Sequence, residues 1–80
     1  MLIFVSMKEF KELTAIIERE GDGYVALCPE FDVASQGDSI EEARANLIEA
    51  LELFYENASP EEIQRRFHDE VLITLVQVSV

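Results

Sequence analysis

The side chains with scope for chemistry in this 80-residue sequence are one cysteine, Cys28, one histidine, His68, and a set of turn carboxylates, Asp22, Glu30, Asp32 and Asp38. A thiol becomes a nucleophile when a neighbouring base or positive charge lowers its pKa. The sole histidine lies forty residues further on, in a loop, so Cys28 reads as a packed strand residue, the usual place for a free cysteine. His68-Asp69-Glu70 puts an imidazole beside two carboxylates, but consecutive residues do not converge on an ion as zinc or iron sites require. His68 reads as a solvated loop residue. The turn carboxylates could gather Mg²⁺ as a nuclease does, yet no base or lysine accompanies them, and turn chemistry explains Asp22 and Asp38. The expectation is a protein with no catalytic residues, metal or cofactor, a nuclease-like use of these carboxylates being the enzymatic alternative.

Charge narrows the partners. Seventeen Asp and Glu against six Lys and Arg give a net charge of −11, whereas a phosphate backbone is bound chiefly through Lys and Arg. Direct nucleic-acid binding is not expected; a basic protein, steered in by the acidic field, is. Arg65-Arg66, the one basic doublet, reads as a source of salt links, and Arg44 as a residue whose stem covers the core edge or which pairs across a subunit interface. Leu53, on the polar side of a helix, and Tyr55 near that helix end are partner-contact candidates. A single cysteine allows no internal disulfide and fits a reducing, cytoplasmic setting. The apolar run Leu2-Ile3-Phe4-Val5 is too short for a signal peptide or a membrane span.

These residues need elements to position them, and the pattern supplies one domain over residues 1–80, with no repeat or linker. Residues 1–10 are an extra strand or an extension, Met1 and Met7 both being possible starts. Residues 11–20 alternate apolar and polar positions as a half-buried strand does, and Gly21-Asp22-Gly23 provides a hairpin turn. Residues 24–28 return as a strand that Pro29 closes, and Val33-Ala34-Ser35-Gln36 forms a third strand up to Gly37. Ser39-Ile40-Glu41-Glu42 is a capping box, in which the Glu42 carboxylate is expected back on the Ser39 N–H. Ile40, Ala43, Leu47, Ala50, Leu51 and Phe54 then fall on one face of a helix running to Asn57. Ser59-Pro60 starts a second, short helix to about Phe67. Residues 71–80, rich in β-branched side chains, predict a closing strand covered on both faces. One long helix covers one side of such a sheet. The other side, Ile16 and Leu2–Val5 with it, calls for a subunit or a partner.

Gly23-Tyr24-Val25-Ala26-Leu27-Cys28-Pro29-Glu30, then Ser35-Gln36-Gly37-Asp38-Ser39-Ile40-Glu41-Glu42-Ala43 and Asn46-Leu47-Ile48-Glu49-Ala50, resemble the HicB-like antitoxin family over roughly residues 12–57. The resemblance implies an α+β domain: an antiparallel sheet of three to four strands in β-β-β-α-β order, with one long helix on one face. It also implies a partner, a basic HicA-like ribonuclease toxin of double-stranded-RNA-binding-like fold, inhibited by direct binding that masks its active histidine. The surface implied for that contact is the sheet edge with Tyr24, Cys28, Pro29, Glu30, Phe31, Asp32, Gln36 and Asp38. Two departures stand out. Longer relatives carry a C-terminal DNA-binding segment, which is not found before Val80, so operator binding is not expected. Phe31-Asp32-Val33-Ala34 also replaces the family's Leu-Pro-Gly-Cys. The alternative is a homo-oligomeric domain, a dimer or tetramer without a toxin.

Overall fold

The computed structural model describes residues 11–80, so the expectations for Leu2–Val5 and for an extra strand within residues 1–10 lie outside the described residues. Three strands, β1 (Ile16–Glu20), β2 (Gly23–Cys28) and β3 (Val33–Gly37), are followed by two helices, α1 (Ile40–Asn57) and α2 (Pro60–Arg66). The strands form an antiparallel meander in the order β1-β2-β3. The result is an α+β arrangement in β-β-β-α order.

Register follows from the turn. Gly21 takes a φ of 59°, which lets Gly21-Asp22 link Glu20 to its partner Gly23 and brings Ile17 opposite Ala26 and Ile16 opposite Leu27. Side chains alternate across the sheet, so Tyr24, Ala26 and Cys28 point to one face and Val25 and Leu27 to the other. The first face is the core side: Ala26 and Cys28 are fully buried, as are Phe31, Ala43 and Leu47, with Leu51 nearly so. Ala43, Leu47 and Leu51 recur at four-residue steps and lay α1 against the sheet, mainly against β3.

The cap of α1 forms as its sequence dictates, with one change of partner. The Ser39 hydroxyl accepts the Glu42 N–H at 3.0 Å, but the Glu42 carboxylate turns to the Asp38 N–H at 3.3 Å and not to that of Ser39. Ser59 repeats the device for α2, accepting the Glu62 N–H at 3.1 Å. Ile40, placed by periodicity on the apolar face, is the first residue of α1 and is 47% exposed.

Two expectations about strands are corrected. β1 begins at Ile16, not at residue 11, because residues 11–15 are diverted by the contact of Thr14 with Glu30 described below. Residues 71–80 form no strand, and their side chains, expected to be covered on both faces, lie in solvent: Leu72 is 83% exposed, Leu75 97% and Val76 80%. A β-branched composition favours a strand only where a sheet edge accepts it, and no edge within the described chain does.

Candidate functional site

The residues implied for partner contact fall at two ends of the β2–β3 hairpin: Cys28, Pro29, Glu30, Phe31 and Asp32 lie at the corner between the strands, which most of them hold together, while Tyr24, Gln36 and Asp38 lie toward the far end, where Tyr24 pairs with Gly37. Pro29 ends β2, and the Phe31 N–H returns to the Cys28 carbonyl at 3.4 Å to make the turn. Asp32 then takes a φ of 55°, a left-handed conformation that Asp tolerates better than most residues.

Glu30 is the centre of this corner. Its carboxylate accepts the Thr14 N–H at 3.1 and 2.9 Å, the Thr14 hydroxyl at 2.8 Å and the Cys28 thiol at 3.4 Å. Its backbone carbonyl accepts the His68 N–H at 2.8 Å. Burial opposes ionisation of Glu30, but the donors from Thr14, its own backbone and the Cys28 thiol outweigh it, so the carboxyl lies below its ordinary value. Cys28 moves the other way: burial dominates, the neighbouring carboxylate adds to it, and the thiol pKa rises despite the Phe31 N–H. A thiol so placed is a structural group, as the sequence indicated, and lacks the activation that nucleophilic catalysis needs. Burial, with Cys28 and Glu30 nearby, likewise pushes the Tyr55 hydroxyl up.

Phe31 fills the centre of an aromatic cluster, its ring 5.1 Å from Phe54, 5.4 Å from Tyr55 and 5.3 Å from Phe67. Tilted and edge-on rings at these separations add to the burial energy. Arg66 lies over the Phe54 ring at 4.6 Å and donates to the Phe31 carbonyl at 3.0 Å, so it clamps α2 to the corner where the sequence suggested a salt link. His68 is exposed, as expected of a loop residue, and its Nε2 lies 3.1 Å from Asp32 Oδ2.

The implied contact residues therefore divide. Cys28 and Phe31 are buried, Tyr24, Pro29 and Glu30 half-buried, and Asp32, Gln36 and Asp38 exposed. Gln36 offers its side chain outward while its carbonyl accepts the Asn46 amide at 2.8 Å. Leu53 is exposed as expected of a contact candidate, whereas Tyr55 packs into the Phe31 cluster. Thr14, Asn46 and Arg66 were not singled out in these roles by the sequence, since each acts on a backbone group or a carboxylate far away in the chain. Among the described residues no group of three or more His, Cys, Asp and Glu could hold a metal ion. No helix among them is long and apolar enough to cross a membrane.

Comparison with known proteins places the chain in a family. A UPF0150 protein of Synechocystis sp. is 48% identical over 63 residues, 76% of this chain and 86% of the relative. The chain belongs to the UPF0150 family. A second UPF0150 protein of the same organism is 44% identical over 55 residues, 66% of this chain and 70% of that relative. No protein-family model matches this UPF0150 member, and no solved structure matches it significantly.

Proposed function

We propose that this UPF0150 chain is a HicB-like protein-binding module that neutralises a basic HicA-like ribonuclease by direct contact. The observation that supports it most is how the corner spends its groups. The polar atoms that would serve a small ligand or a reaction, those of Glu30, Cys28 and Thr14, are bound to one another. What faces outward is Asp32 before β3 and, toward its other end, Gln36 and Asp38, on a molecule of net charge −11. Groups presented in this way act by shape and charge on another macromolecule, and a basic surface is the complement.

The test is an RNA-cleavage assay with a purified HicA-type ribonuclease titrated with this chain. Near-stoichiometric inhibition, weakened by salt and by Asp32→Ala and Asp38→Ala, is the expected result. Full ribonuclease activity at a several-fold excess of the chain would dismiss the proposal. The chain alone, with Mg²⁺, is expected to leave RNA intact; cleavage would instead favour the nuclease-like alternative.

The exposed apolar segment 71–80 favours a second reading, a self-assembling domain.

A further inference from the structure

The sequence holds one histidine, His68, and histidine is the side chain whose charge ordinarily changes between about pH 5 and about pH 8. The structure sets that ring against an outward carboxylate of the proposed contact surface. His68 Nε2 lies 3.1 Å from Asp32 Oδ2, with the two side chains 58% and 74% exposed.

Backbone fixes both residues of the pair. The His68 N–H donates to the Glu30 carbonyl at 2.8 Å, and Asp32 leaves that same corner with a φ of 55°. Among the described residues, the charged groups on the elements that meet at His68 are Glu30 and Asp32 of the corner, Arg65 and Arg66 in the last turn of α2, and Asp69 and Glu70 after it. The Glu30 carboxylate is taken up by Thr14 and Cys28, and the Arg66 guanidinium by the Phe31 carbonyl and the Phe54 ring. The carboxylate that the imidazole touches is that of Asp32.

With a proton on Nε2, a neutral ring still donates to Asp32, so the contact survives in both charge states while the charge of the pair differs by one. The imidazolium cancels the carboxylate; the neutral imidazole leaves it uncompensated. We infer that His68 gates the Asp32 end of the contact surface by pH, cancelling its negative charge in acid and restoring it above neutrality, so that a basic partner binds more tightly as pH rises. This rests on the ribonuclease-binding reading and adds its regulation. Asp38, at the other end of β3, lies outside the gate. One charge at an exposed site changes affinity about two- to fivefold.

Calorimetric titration of a purified HicA-type ribonuclease with the full chain, at about pH 5.5 and about pH 8 and one ionic strength, gives the ratio of the two dissociation constants. Groups that titrate on the ribonuclease contribute equally to this ratio for every variant of the chain. The wild-type ratio is expected to exceed that of His68→Gln, whose amide keeps the hydrogen bond without the change of charge, by about two- to fivefold. Asp32→Asn is expected to lower the ratio to the same extent, and Asp38→Asn to leave it at the wild-type value. Helical circular dichroism and urea midpoints report on folding; should His68→Gln disturb the corner, Asp32→Asn reads the same ratio with His68 in place. Binding that keeps the wild-type ratio in His68→Gln and Asp32→Asn, or a ratio of opposite sense, would overturn the gate and leave the binding reading intact. Binding at neither pH would overturn both.

Discussion

Glu30 shows what a carboxylate is for when it lies at a strand end and not in a cleft. Three donors from Thr14 and Cys28 converge on it, so removing its charge leaves the Thr14 N–H and hydroxyl poorly matched in a half-buried place. Glu30→Gln is expected to lower stability by about 1–3 kcal/mol, read from urea midpoints at about pH 7. The pH dependence has a definite sign. The folded carboxyl lies below its ordinary value of 4.5, so its contribution is fully present above that value and is lost as pH falls through the folded one. The stability gap between wild type and Glu30→Gln should therefore narrow as pH drops below about 4.5; a gap that stays constant into strong acid would refute the assignment. Cys28, buried and with its thiol pKa raised, is expected to react with iodoacetamide at neutral pH only as fast as the corner opens, and to become fast on denaturation. The sequence showed Cys28 to be a packed residue and Glu30 to be placed in a turn, but not that they touch. Contact between neighbours two apart depends on the Pro29 bend, and the Thr14 contact on a separation of sixteen residues.

The elements were legible where local chemistry defines their ends. Ser39 and Ser59 cap the helices they precede, Pro60 opens α2, and Gly21 turns the hairpin, each by a bond or a φ value internal to a few residues. Ser39→Ala should cost about 1 kcal/mol of stability, measurable as a lower melting temperature without change in the folded spectrum. Gly37 was legible only as the end of a strand. Its larger role is steric, since a Cβ there would meet the Ala43 nitrogen at 2.5 Å and the Glu42 backbone carbon at 2.8 Å. Both are helix backbone, so β3 and the first turn of α1 must separate to admit it. Gly37→Ala is expected to destabilise by about 1–3 kcal/mol, more than Ser39→Ala, although it removes no hydrogen bond. Equal midpoints for the two variants would mean that the strand and helix part at little cost. What misled the reading of residues 11–15 and 71–80 was the same thing in both cases. Alternating or β-branched residues mark a segment that suits a sheet, while a ladder also needs an edge, and the edge belongs to another part of the chain or to another chain.

At the scale of the molecule, an acidic surface and the uncharged segment 71–80 separate two modes of association. Contacts made through Asp32, Asp38 and the acidic surface should weaken steeply between about 50 mM and about 500 mM salt, because exposed charges are screened over a Debye length. Contacts made through the neutral segment 71–80 should persist or tighten over the same range, as like-charge repulsion between copies is screened; analytical ultracentrifugation at the two salt concentrations distinguishes them. The net charge was legible from composition alone. The division of the surface was not, because it required knowing that α1 takes one side of the sheet and leaves Leu27 and Ala34 on the other.

The bonds at Glu30 have a consequence for motion. Its side chain holds the approach to β1 through Thr14, and its carbonyl holds the exit from α2 through His68, so a single residue latches the two ends of the described chain. The amides of Thr14 and His68, fifty-four positions apart, should then exchange with deuterium in one shared opening event, and the orientation from which residues 71–80 depart should be only as steady as that latch.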